Sequence, residues 1–130
     1  MAHTFDLRVY YEDTDMAGIV YHANYLKFIE RGRSTWVREI GIDQNRLREE
    51  EGKVFVVRHM EIDFLAPARY EDVLTVETEL VAMKASSFTV EQRVLRADRL
   101  LFKAQVQAVC MTLAGRPVRL PDLVCDAFAK

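Results

Sequence analysis

Serine is scarce in this chain. Only Ser34, Ser86 and Ser87 occur, and none sits in a Gly-x-Ser-x-Gly elbow, which sets a serine hydrolase aside. Cysteine is scarcer still. Cys110 and Cys125 form neither a metal-type pair nor a disulfide framework, so a reduced, cytoplasmic protein is the expected setting. No apolar run reaches the length of a membrane span. The opening residues, from Met1 to Leu7, contain no basic region followed by an apolar core, so no signal peptide is expected. Neither sign of charge dominates: 18 Lys and Arg oppose 20 Asp and Glu, a net charge of -2. Nucleic acid needs a concentrated cationic face and is excluded as the main partner. Repeats, low-complexity stretches and linkers are also missing.

What remains is a 130-residue chain that is 50% hydrophobic and 29% charged. That suits one compact domain over residues 1–130. Phe5, Leu7, Val9 and Tyr11 alternate with polar residues as a half-buried strand. From about Ala23 to Ile40 the period changes, with Tyr25, Ile29, Gly32, Trp36 and Ile40 recurring at spacings of three and four. This predicts a long helix with a broad apolar face, capped by Gly41. Gly32 lies inside that stripe, where glycine costs roughly 1 kcal/mol against alanine, so close packing is expected there. Asp43 to Glu51 reads as a short helix or turn ending at Gly52.

The remainder reads as β. Val54, Val56, Met60, Ile62 and Phe64 are expected on one face of a strand whose apolar row Arg58 interrupts. Residues 73–82, a segment around Phe88, Val90 and Val94, and residues 101–113 alternate in the same way, joined by short connections. They predict an antiparallel meander, followed by a brief helix from Pro121 to Phe128. The order implies an α+β domain with one long helix against an antiparallel sheet. Its open edges suggest a homo-oligomer.

The segment Tyr10-Tyr11-Glu12-Asp13-Thr14-Asp15, followed by Gly18-Ile19-Val20-Tyr21-His22-Ala23-Asn24-Tyr25, closely resembles the signature of the YbgC-like branch of the 4-hydroxybenzoyl-CoA thioesterase family. The likeness continues in Val56-Val57-Arg58, Ala66-Pro67-Ala68-Arg69 and Asp72-Val73-Leu74. The resemblance implies a hotdog fold, in which a five-stranded antiparallel sheet wraps the long helix. It implies dimers that share active sites, often paired into tetramers. The implied reaction is hydrolysis of an acyl-CoA, of short to medium chain, to a carboxylic acid and CoA, without metal or organic cofactor. The family is also associated with acyl carrier protein.

By the same resemblance Asp15 is the reactive carboxylate, either a nucleophile that forms a mixed anhydride or a general base on water. Its other reading is a plain turn residue. The first amides of a helix lack intrahelical partners and carry the positive end of its dipole. One of them, at the position of His22, could hold the thioester carbonyl. Gly18 would let the backbone pass close to substrate. The His22 imidazole could orient Asp15, touch the thioester, or serve only as a partner at the helix start. Tyr21 and Tyr25 are packing residues or a pocket wall.

On a continuous strand Asp13 would share a face with Asp15, and it suits an ion pair or hydrogen bonds better than a metal site. Arg58 would form a salt bridge with Asp13 or Glu30, or line the substrate site beside Val57 and His59. Lys84, Ser86 and Ser87 match a turn that contacts CoA in the family, although related enzymes can be more basic there. Arg69 and Arg93 are further cation candidates, with solvated surface charge as the default. Two rival readings share the fold or the binding role: a hotdog dehydratase of 3-hydroxyacyl thioesters, and a non-catalytic binding module for acyl groups or acyl carrier protein.

Overall fold

The computed structural model describes residues 2–129. Strand β1 (His3–Arg8) leads through a 3-10 turn at Tyr11–Asp13 to helix α1 (Asn24–Glu39) and helix α2 (Gln44–Glu51). Strands β2 (Lys53–Phe64), β3 (Val73–Met83), β4 (Ser87–Arg96) and β5 (Arg99–Thr112) follow, and helix α3 (Asp122–Ala129) closes the order. The five strands form one antiparallel sheet in the order β1-β3-β4-β5-β2. Helix α1 lies against β3, β1 and β4, while α2 packs on β2.

The cross-strand register explains the core. Phe5 faces Val76, Val76 faces Val94, and Val94 faces Phe102. Phe102 in turn faces Phe64 on β2. These rows share one side of the pleat, and the apolar stripe of α1 (Tyr25, Phe28, Ile29, Trp36 and Val37) is buried within the same core. At Gly32 the helix packs closely on β3. A Cβ there would stand 2.6 Å from Cγ1 of Val76 and 3.2 Å from its Cβ, so the close packing expected from the sequence is present. The short helix is capped at both ends. Asp43 accepts the Arg46 amide, and Gly52 takes φ +64 as its left-handed C-cap.

Two expectations need correction. The first strand is shorter than its alternation. Val9 remains buried and bonded to Asp72 and Glu71, but Tyr11–Asp13 turns as a 3-10 helix. Asp13 therefore does not continue a strand face towards Asp15. Its carboxylate instead accepts the Tyr10 amide at 2.8 Å.

The second correction concerns β2. Its pairing with β5 shifts between Val57 and His59, leaving Arg58 as the extra residue of a β-bulge. The bulge exchanges faces. Before it, Phe55 and Val57 oppose the buried Cys110 and Ala108; after it, Met60, Ile62 and Phe64 oppose Val106, Ala104 and Phe102. Val54 and Val56 thus lie off the inward row, and Phe55 belongs to it. Arg58 does not interrupt an apolar face. It is exposed, and among the described residues it forms no salt bridge with Asp13 or Glu30.

A buried polar cluster ties α1 to the sheet. Gln92 is fully buried on β4, and its Nε2 donates to the Ile29 carbonyl at 2.8 Å and to Thr78 Oγ1 at 2.9 Å. Its Oε1 accepts from Arg33 at 2.8 Å. Replacing Gln92 with Leu leaves the Ile29 carbonyl and Thr78 without this partner and removes the acceptor from Arg33. We expect a loss of about 2–4 kcal/mol in denaturant unfolding, since each buried orphan costs roughly 1–3 kcal/mol.

Candidate active site

The backbone between Asp13 and Asn24 folds back on itself. The Asp15 amide donates to the Ile19 carbonyl at 2.9 Å, and the Gly18 amide to the Asp15 carbonyl at 3.0 Å. Gly18 takes φ +79, a conformation that a side chain would strain. The chain then returns along Arg69 and Ala68, with the Val20 amide on the Ala68 carbonyl at 2.8 Å. Asn24 Nδ2 donates to the Asp13 carbonyl at 2.9 Å, and the Tyr21 amide donates to the same carbonyl. The turn carrying Asp15 is therefore bolted to the first residue of α1.

A cleft of about 380 Å³ opens here, lined by Asp15, Val20, His22, Tyr25, Phe64 and Pro67 among others. Asp15 is exposed at its rim, and among the described residues its Oδ1 accepts only the Ala17 amide, at 2.9 Å. His22 is exposed as well, with its ring edge-on to Phe64 at 6.2 Å. No hydrogen bond joins His22 to Asp15 among the described residues. At the start of α1 no side chain caps the helix. The amides of His22, Ala23 and Tyr25 donate no hydrogen bond to the described residues. Such amides, at the positive end of the helix dipole, suit a carbonyl oxygen that gains negative charge.

Tyr25 forms the floor. Its ring stacks on Phe102 at 5.0 Å, and its hydroxyl accepts the Ala68 amide at 3.0 Å. Burial pushes its phenol above the ordinary value, and the Ala68 hydrogen bond offsets part of that rise. Asp72 and Arg96 hold the opposite wall: Arg96 donates to Asp72 at 2.8 Å and to the Pro67 carbonyl at 3.3 Å. Tyr25→Phe strands the Ala68 amide. Thermal unfolding should show it about 1–3 kcal/mol less stable than the parent, with the cleft wall loosened.

Of the residues singled out from the sequence, Asp15, His22 and Tyr25 meet in this cleft, and Gly18 shapes its turn. Tyr21 stands beside it, its ring 4.5 Å from that of His22. The others lie elsewhere in the chain. Val57 lines a separate small cavity, while His59 faces Glu61 at 3.6 Å on the outer side of the sheet. Arg58 projects from the bulge between them. Val57 and Phe64 are seven residues apart on β2, roughly 23 Å. Lys84, Ser86 and Ser87 form the β3–β4 turn, where Lys84 donates its amide to the Ser87 carbonyl at 2.8 Å. Arg93 is held between Glu77 and Glu91 on the outer face. Asp13, Asp15 and His22 do not gather as a metal-binding group of three among the described residues. Of the wall residues, Ala66 and Pro67 were legible only as part of a resembling motif, Phe64 only as a strand residue and Leu65 not at all, because nothing local tells that the end of a strand closes a cleft. No helix of the described residues is long and apolar enough to cross a membrane.

Comparison with known proteins agrees with this architecture. The profile of the thioesterase-like superfamily matches residues 9–128. The acyl-CoA thioesterase YbgC of Haemophilus influenzae is 43% identical over 126 residues, covering 96% of this chain and 93% of that protein. The crystal structure of a probable thioesterase from Bartonella henselae is 42% identical with a TM-score of 0.89, covering 93% of this chain and all of the other. The 4-hydroxybenzoyl CoA thioesterase from Pseudomonas sp. strain CBS-3, 24% identical, shares the fold at a TM-score of 0.91 over 97% of this chain and 98% of its own. The chain thus belongs to the thioesterase-like superfamily, as a YbgC-type member with the hotdog fold.

Proposed function

We propose that this protein hydrolyses acyl-CoA thioesters at the Asp15 cleft, releasing a carboxylic acid and CoA. The observation that carries the reading is the pairing of an exposed carboxylate with unpartnered helix-start amides across one cleft. The thioester carbonyl oxygen accepts from an amide near His22, which polarises the carbonyl carbon. Asp15 then acts in one of two ways. As a nucleophile, its oxygen bonds to the carbonyl carbon, the C–S bond breaks, CoA leaves as a thiolate that takes a proton, and water cleaves the mixed anhydride. As a general base, it takes a proton from water, whose oxygen attacks the carbonyl carbon directly; the C–S bond then breaks and the CoA thiolate takes up the proton. Neither route consumes a cofactor. The His22 imidazole, without a bond to Asp15, acts on the substrate side in this reading.

We further propose that the active unit is a homodimer, or a tetramer built from it, joined along β2. That strand is a 12-residue edge with Val56 and Val57 exposed by 39% and 41% and Phe64 by 54%. Two antiparallel copies related by a twofold between Met60 and Glu61 would set Val57 of one chain beside Phe64 of the other. Val57, Arg58 and His59 would then wall the second chain's cleft, and the Lys84–Ser87 turn would meet the CoA. The test is thiol release over a panel of acyl-CoAs from acetyl to decanoyl and aromatic, with matching acyl carrier protein thioesters alongside. Cleavage strongest among short to medium chains is expected. Absence of thiol release from every thioester would discard the hydrolase reading in favour of a binding module.

A further inference from the structure

Outside the Asp15 cleft, the side of α1 that faces β4 and β2 encloses a second cavity of about 150 Å³. Its lining includes Glu30, Arg33 and Ser34 on α1 and the apolar Phe55, Val57 and Phe88 on the sheet. It shares no lining residue with the Asp15 cleft. A guanidinium carries five N–H donors, yet the hydrogen bond that Arg33 makes among the described residues is to the neutral Gln92 Oε1. No carboxylate lies within ion-pair distance of it among those residues. Glu30, one helical turn away and on the same cavity, is exposed.

A half-buried cation with a neutral partner is an unusual arrangement, because buried arginines are normally paired. Burial also holds the Arg33 guanidinium below its ordinary value, and Glu30 offsets only part of that. The surroundings are those of a site for a small amphipathic anion: one charged fork at the side and aromatic and aliphatic walls. Its volume is well below the roughly 300–1,000 Å³ of pockets for drug-sized ligands, which limits the occupant to a few carbons. We propose that this cavity binds a short aliphatic carboxylate, with Arg33 as its cation.

Such a carboxylate has two chemical sources. It can be a free acid of the kind that thioester hydrolysis releases, or the distal carboxylate of an acyl group that enters from a second chain across β2. Both sources rest on the hydrolase reading for their supply, but binding itself does not require turnover. The intact protein is titrated with butyrate, with butanol and butylamine as uncharged and cationic controls, and followed by amide NMR. Butyrate alone should shift the amides of Arg33, Ser34 and Phe55. Arg33→Gln should weaken that response roughly tenfold or more, through loss of a charge-assisted hydrogen bond. Ser34→Leu, which fills the cavity from the helix side and leaves Arg33 in place, should abolish it in folded protein.

Kinetics then separate the sources. A KM for succinyl-CoA that rises in Arg33→Gln while that for butyryl-CoA stays level assigns the site to the acyl group. Unchanged kinetics with lost butyrate binding assigns it to the free acid. No butyrate-specific shift at the cavity in the parent protein, or the same shift in both variants, overturns the proposal. Failure of the Asp15 mechanism would instead appear as absent thiol release with butyrate binding intact.

Discussion

Asp15→Asn should leave the fold unchanged and lower kcat for acyl-CoA hydrolysis by roughly 10²–10⁴-fold, the range for loss of a positioned acid–base group. The separation of fold from activity follows from the local bonding. The turn is closed by backbone bonds from Asp15 to Ile19 and from Gly18 to Asp15, which do not use the carboxylate. The side-chain bond it makes among the described residues, from the Ala17 amide to Asp15 Oδ1, is one that asparagine can also accept. Asparagine nevertheless has no anionic oxygen to attack a carbonyl and is a negligible base towards water. Asp15→Ala should be as inactive and slightly less stable, since the Ala17 amide turns to solvent.

Binding is a second readout. If the helix-start amides hold the thioester carbonyl, both variants should bind a non-cleavable ketone analogue of the acyl-CoA, with a methylene between carbonyl and sulfur, about as well as the parent by calorimetry. Full thiol release from folded Asp15→Asn would remove Asp15 from the chemistry. A single turnover in oxygen-18 water then tests the anhydride route in the parent. Label entering the Asp15 carboxylate identifies that route, whereas label only in the released acid places the attack of water on the acyl carbon.

Gly32→Val should strongly destabilise the core. Overpacking costs roughly 1–3 kcal/mol and occasionally more, and this site has little room to yield. The added Cβ would meet Val76 Cγ1 at 2.6 Å. Val76 is stiff at χ1, fully buried, and paired with Phe5 on one side and Val94 on the other. Relief would require α1 to lift from the sheet. That movement would also stretch the bond from Gln92 to the Ile29 carbonyl and shift the helix start that frames the cleft. Gly32→Ala carries the same first clash, offset in part by about 1 kcal/mol of helix propensity, and should fall between the parent and Gly32→Val in thermal melts. A melting temperature for Gly32→Val equal to the parent's would mean that the helix and β3 are not packed as described.

The periodicities carried the order of elements well, because helix and strand periods are local properties of the chain. Asp43 and Gly52 mark their helix ends by side-chain and backbone chemistry that needs no distant partner. Gly32 was legible for a similar reason, as a residue whose local cost implies a gain in packing. The β2 face was misread because its alternation is broken by a bulge, and a bulge is defined by the pairing with β5, about fifty residues away in sequence. One extra residue at Arg58 exchanged the two faces of the strand and turned an expected buried arginine outward. Gln92 was also hidden: it stands in an apolar row between Val90 and Val94, and its three partners come from two other elements, α1 and β3.

The candidate site divides along the same line. The segment from Tyr10 to Tyr25, by its residue types alone, determined the family resemblance and pointed to Asp15 and to the start of the helix. Contiguous residues can carry such a signal because the turn and the helix start are built from one stretch of backbone. Tertiary structure decided the rest: Phe64 and Pro67 as the opposite wall, the Tyr25 hydroxyl on Ala68, and the Arg96–Asp72 clamp behind them. It also set Val57 and Arg33 around a separate cavity. These depend on distances between segments far apart in the chain, and such distances are fixed only when the sheet closes around the helix.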